Sequence, residues 1–107
     1  MTTRGRAIKS PATRLLEDLT GGPLTFGRLL EAIRVGEGIS QAEFARRLGM
    51  SRSHLCDIEK GRKSVSLTRA AQLAKTLGYS EKQFVRLALQ ELVDEAGLKW
   101  VVKVEAA

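Results

Sequence analysis

A chain of 107 residues can build one compact core, and its 43% apolar side chains with 18 basic against 12 acidic groups, a formal charge of +6, describe a globular domain suited to a polyanionic partner. One cysteine and one histidine exclude an internal disulfide and a four-ligand zinc site made by this chain alone. No apolar run approaches the ~20 residues that cross a bilayer, and neither clustered carboxylates nor a phosphate-cradling glycine loop is present, so no membrane, metal, cofactor or enzymatic reaction is expected.

The charge is unevenly spread: residues 1–23 hold four basic and two acidic groups, residues 24–79 hold ten and five, and residues 80–107 hold four and five. Residues 1–22 form a basic arm with Arg4, Arg6 and Lys9, expected to be mobile, followed by a short helix over Ala12 to Leu19 that Gly21-Gly22-Pro23 ends. The start Met1-Thr2-Thr3-Arg4 lacks the apolar stretch of a secretory signal, which predicts a cytoplasmic protein.

Residues 23–79 then show helical periodicity. Phe26, Leu29, Leu30 and Ile33 make an amphipathic first helix that Gly36 and Gly38 stop. Ser40-Gln41-Ala42-Glu43 has the form of a capping box, in which serine and glutamate satisfy each other's backbone amides, and opens a second helix to about Leu48. Gly49-Met50-Ser51 leaves no room for a long loop, and Ser51 caps a third helix ending at Gly61. Ser66 caps a fourth, closed by Gly78. Ser80-Glu81-Lys82-Gln83 is a second capping box and begins a fifth helix to about Ala96. The composition, rich in Leu, Ala, Arg and Glu with five aromatics, agrees with an all-α domain.

The stretch from Gln41 to Lys60 carries the function. Two helices that cross steeply need a small residue at their approach and a glycine at the turn, and Ala45 and Gly49 supply both. At ~100° per residue, taking Arg52 as zero, the third helix puts Cys56 at about 40°, Lys60 at about 80°, Ser53 at about 100° and Asp57 at about 140°. Ile58 falls at about 240° and Leu55 at about 300°, with His54 on the flank at about 200°. One side therefore anchors the helix, and the other offers Arg52, Ser53, Asp57 and Lys60 to a groove wide enough for a helix, the major groove of DNA.

Arg34, Ser40-Gln41, Phe44-Ala45, Leu48-Gly49, Ser51, Leu55, Ile58-Glu59, Gly61-Arg62 and Leu77-Gly78 together resemble the helix-turn-helix family of the XRE, Cro and CI type, which includes phage repressors and bacterial antitoxins. The resemblance spans Phe26 to Tyr79 and implies a five-helix, lambda-repressor-like domain that binds double-stranded DNA. It further implies base contacts from Arg52, Ser53 and Asp57, and phosphate contacts from Gln41, Ser51, Lys60, Arg62 and Lys63. Arg34 and Glu59 look like the family's structural ion pair, which removes Glu59 from base reading. Val65 stands where many members have proline.

Residues 80–107 form an extension. The fifth helix has a broad apolar face of Phe84, Val85, Ala88, Leu89, Leu92, Val93 and Ala96. Beyond Gly97, the alternation of Leu98, Trp100, Val102 and Val104 with Lys99, Val101, Lys103 and Glu105 predicts a short β-strand, which must pair either with its counterpart in a second copy or within one monomer. Leu89, Leu92, Val93, Trp100, Val102 and Val104 are the expected dimer or partner interface, Trp100 being either an interface anchor or a core residue. A dimeric repressor on a palindromic operator is one expectation. Size and a basic reader with short extensions also resemble antitoxins of the HigA kind, which bind a toxin protein and their own promoter. A third reading is a protein-interaction module that no longer meets DNA.

Overall fold

The computed structural model describes residues 24–107. The basic arm and the helix expected over 12–19 lie outside them. Five helices follow in order: α1 (Phe26–Glu37), α2 (Gln41–Leu48), α3 (Arg52–Glu59), α4 (Leu67–Leu77) and α5 (Glu81–Glu95). α3 packs on both α1 and α2, while α4 lies along α5 and α5 reaches back to α1.

Each helix begins where a short hydroxyl side chain can accept an otherwise unpaired amide. Thr25, Ser40, Ser51, Ser66 and Ser80 all do so, taking the N–H three residues on. The two expected capping boxes are only half made. Glu43 turns its carboxylate to Arg46 (2.6 Å) and Gln83 accepts from Arg86 (3.0 Å), instead of reaching back to the capping serines. The turn between α2 and α3 depends on Gly49, whose φ of 72° is a left-handed conformation that a Cβ would strain. There the amide of Met50 is accepted by the Ala45 carbonyl (3.0 Å), which closes the turn in three residues.

Phe26, Leu30, Phe44, Leu55, Ile58, Leu73 and Phe84 are almost wholly buried, so the core draws on all five helices. Burial of each large side chain stabilises the fold by about 1.5–3 kcal/mol. Phe84 is the hub between the two halves, set edge-on to Phe26 at 5.6 Å and stacked with Tyr79 at 6.1 Å. Val65, in the position that proline often takes, is buried and ties the α3–α4 loop to this core.

The inward face of α5 adds Leu87 to the expected Phe84 and Ala88. Phe84, Leu87 and Ala88 are buried, Leu92 is 44% exposed, and Glu91 lies half-buried where its carboxylate accepts the first amide of α1 at Phe26 (3.1 Å). Burial pushes the Glu91 carboxyl above the ordinary carboxylate range, and the Phe26 N–H opposes that shift.

The expected C-terminal strand is absent: among the described residues there is no β-structure. Residues beyond Gly97 instead turn back toward α5, with Val102 and Val104 half-buried. The physical reason is that Gln90 takes the place of a strand partner. Its primary amide donates to the Trp100 carbonyl and accepts the Val102 N–H, both at 2.8 Å, which is the pairing a neighbouring peptide would give. Only part of the alternation is used inwardly, since Trp100 remains 64% exposed. Gln90→Ala should weaken this docking by about 1–2 kcal/mol and hasten tryptic cleavage after Lys99 and Lys103. Cleavage at the wild-type rate would mean that the amide does not hold the tail.

Candidate nucleic-acid interface

The back of α3 is fixed before its front can serve anything. Leu55 and Ile58 are buried, and Glu59, 7% exposed, is the buried acid among the described residues. Burying a carboxylate is costly unless its oxygens are filled. Here Arg34 donates from Nε to Oε2 (2.9 Å) and from Nη2 to Oε1 (3.0 Å), and Gln41 adds Nε2 to Oε1 (3.0 Å). The hydrogen bonds to Glu59 hold the Arg34 guanidinium above its ordinary value, against a smaller opposing effect of burial. One carboxylate thus joins α1, α2 and α3, the structural role the resemblance implied for the pair.

The opposite arc of α3 is open. Arg52, Ser53 and Lys60 are exposed, while Cys56 and Asp57 are half-buried beneath the following loop. His54 lies half-buried on the flank. Ser51 caps the helix by accepting from the His54 amide (3.0 Å), which leaves its hydroxyl hydrogen for an acceptor outside the protein. Gln41 stands at the first turn of α2 with one amide hydrogen committed to Glu59 and the second uncommitted. These groups present donors from the start of α2 and along α3, an arrangement fitted to a groove and its flanking phosphates.

One expected contact is arranged differently from the simple helical projection. Asp57 accepts Arg62 Nε at 3.0 Å and lies 3.7 Å from Lys63 Nζ, so its carboxylate is turned to the loop. The Arg62 guanidinium holds the Asp57 carboxyl below the usual carboxylate range. Arg62 also extends Nη2 to within 3.7 Å of the Cys56 sulfur. The remaining expected residues lie on α5 and the tail. Leu89, Val93, Val102 and Val104 are half-buried at α5 and the tail, whereas Leu92 and Trp100 are exposed there with Leu98 and Val101.

Residues outside the expected set also shape the site. Arg69 on α4 donates to the Leu48 carbonyl (2.8 Å), closing the C-terminal end of α2. Gly27 lets α1 approach α3 so closely that a Cβ there would lie 2.1 Å from the Ile58 carbonyl oxygen. A glycine inside an otherwise apolar helical stripe is a visible sign of close backbone approach; Arg69 has no comparable signal.

Two short helices joined by a three-residue turn, the second pinned from behind and polar in front, define a helix-turn-helix DNA-binding unit. A family profile described as helix-turn-helix matches residues 30–84, just over half of the chain, and the chain belongs to that family, the XRE, Cro and CI type of DNA-binding transcription regulators. The family is regulatory rather than enzymatic. Comparison with curated proteins and with solved structures gives no match. No helix among the described residues is long and apolar enough to cross a membrane.

Proposed function

We propose that the protein is a cytoplasmic, sequence-specific repressor that binds a palindromic operator as a homodimer, with α3 of each copy in one of two successive major grooves ~34 Å apart. The observation that carries this reading is the division of α3: Leu55, Ile58 and Glu59 are buried, and Arg52, Ser53 and Lys60 are exposed. Arg52 and Ser53 are the proposed base readers. Gln41, Ser51, Lys60, Arg62 and Lys63 are proposed to hold the phosphates, where cation contacts make affinity salt-dependent. The exposed Leu92 and Trp100 supply apolar area for a second copy.

Selection from a randomised duplex pool tests the proposal, since a dimer of this kind should return an inverted repeat. On the selected duplex, Arg52→Ala should cost roughly 1–3 kcal/mol and relax the preference at one base position, whereas Lys60→Ala should weaken all sequences alike and lower the salt slope by about one. Equal losses for Arg52→Ala on selected and random duplexes would refute base reading. The same apolar surface also suits the antitoxin reading. Recovery of a stable complex with the product of a neighbouring gene, in place of a homodimer, would favour it.

A further inference from the structure

Asp57 is an acid on the arc of α3 that the proposed function turns toward DNA, and a bare carboxylate there would repel phosphate. Its backbone carbonyl and Oδ1 are already engaged, and Oδ2 faces a cation. The backbone carbonyl takes the N–H groups of Arg62 (2.8 Å) and Lys63 (3.2 Å), and the carboxylate takes Arg62 Nε (3.0 Å) with Lys63 Nζ at 3.7 Å. The layering is as informative as the contacts: the Asp57 side chain is 26% exposed, and those of Arg62 and Lys63 are 60% and 58% exposed. The acid therefore lies beneath the two cations, which an approaching polyanion meets first.

A carboxylate that reads a base accepts from the cytosine amino group, but here Oδ1 is given to Arg62 and Oδ2 lies 3.7 Å from the more exposed Lys63 ammonium, so a base edge would have to come in past both cations. Holding Arg62 through Nε, with Nη2 set toward the Cys56 sulfur (3.7 Å), leaves Nη1 to face outward, with the rotational freedom of a long side chain already removed. We propose that Asp57 is a positioning residue that sets Arg62 and Lys63 against the DNA backbone and reads no base. This rests on α3 being the DNA-facing helix.

The test compares wild type, Asp57→Asn, Arg62→Ala/Lys63→Ala and the triple variant, each confirmed as folded by its helical circular dichroism. Each is titrated with a duplex selected by the wild type and with a random-sequence duplex. Asp57→Asn should weaken both by the same factor, about two- to tenfold, the cost of ordering a long side chain, and should lower the salt slope by about one. Pool selection with this variant should return the wild-type sequence. In the Arg62→Ala/Lys63→Ala background the same change should bring no further loss.

A changed base preference in the Asp57→Asn selection would overturn the proposal. So would tighter binding by that variant, or a loss that persists without the two cations. Absence of salt-dependent duplex binding by the wild type would be a distinct result, removing the DNA reading and this inference with it.

Discussion

Glu59→Ala should destabilise the protein by about 3 kcal/mol, the lower end of the range for removing one partner of a buried ion pair. The lower end applies because the Arg34 side chain is 17% exposed and regains some hydration once its partner is lost. Against a typical total of about 5–15 kcal/mol for a domain, such a loss leaves the fold marginal. Urea denaturation followed by circular dichroism measures it, and a loss below about 1 kcal/mol would show that Glu59 is not the joint between the helices. Arg34→Met/Glu59→Leu should be less damaging than Glu59→Ala alone, since replacing both charges leaves neither buried without a partner. DNA affinity should fall with the single variant, because Gln41 loses its acceptor and the offset between α2 and α3 is no longer fixed.

Gly27→Ala should destabilise by roughly 3 kcal/mol or more, the upper end for overpacking, because the obstruction is backbone. An added Cβ would lie 2.1 Å from the Ile58 carbonyl oxygen and 3.0 Å from that of Glu59, so α1 must move off α3. Helix propensity alone would give the opposite sign, favouring alanine by about 1 kcal/mol. Gly36 provides the control within the same helix. A Cβ there meets nothing within 4 Å, and Gly36→Ala should stabilise by about 0.5–1 kcal/mol. Thermal melts of the two variants should therefore move in opposite directions. A stabilising Gly27→Ala would disprove the close approach.

Much of the fold is legible because its boundaries are local. A hydroxyl that accepts an amide three residues later and a glycine that closes a helix are both decided within one turn of chain, so α2, α3 and α4 begin where Ser40, Ser51 and Ser66 indicate, and α2 and α4 end at Gly49 and Gly78. The burial of Leu55 and Ile58 and the exposure of Arg52 follow as directly from helical period.

Side-chain partners are less legible because they are chosen in three dimensions. Glu43 prefers Arg46 to the Ser40 amide, and Asp57 prefers the loop cations to the open arc. Periodicity also leaves α5 incomplete. Leu87 belongs to its buried face, and Glu91 is half-buried beside it, because α5 must meet both α4 and the start of α1, where Glu91 serves as an acceptor. The tail shows the same limit most clearly: alternation suggests a strand, yet it cannot reveal that a glutamine side chain will occupy the place of a neighbouring strand.

The three-way joint at Glu59 separates what can vary from what must stay. Arg34, Gln41 and Glu59 set the height and tilt of the rod, whereas Arg52, Ser53 and Lys60 take no part in that joint. On the proposed reading, exchanging Arg52 and Ser53 would retarget the molecule to a new address without rebuilding its chassis, while any change at the joint would alter every address at once.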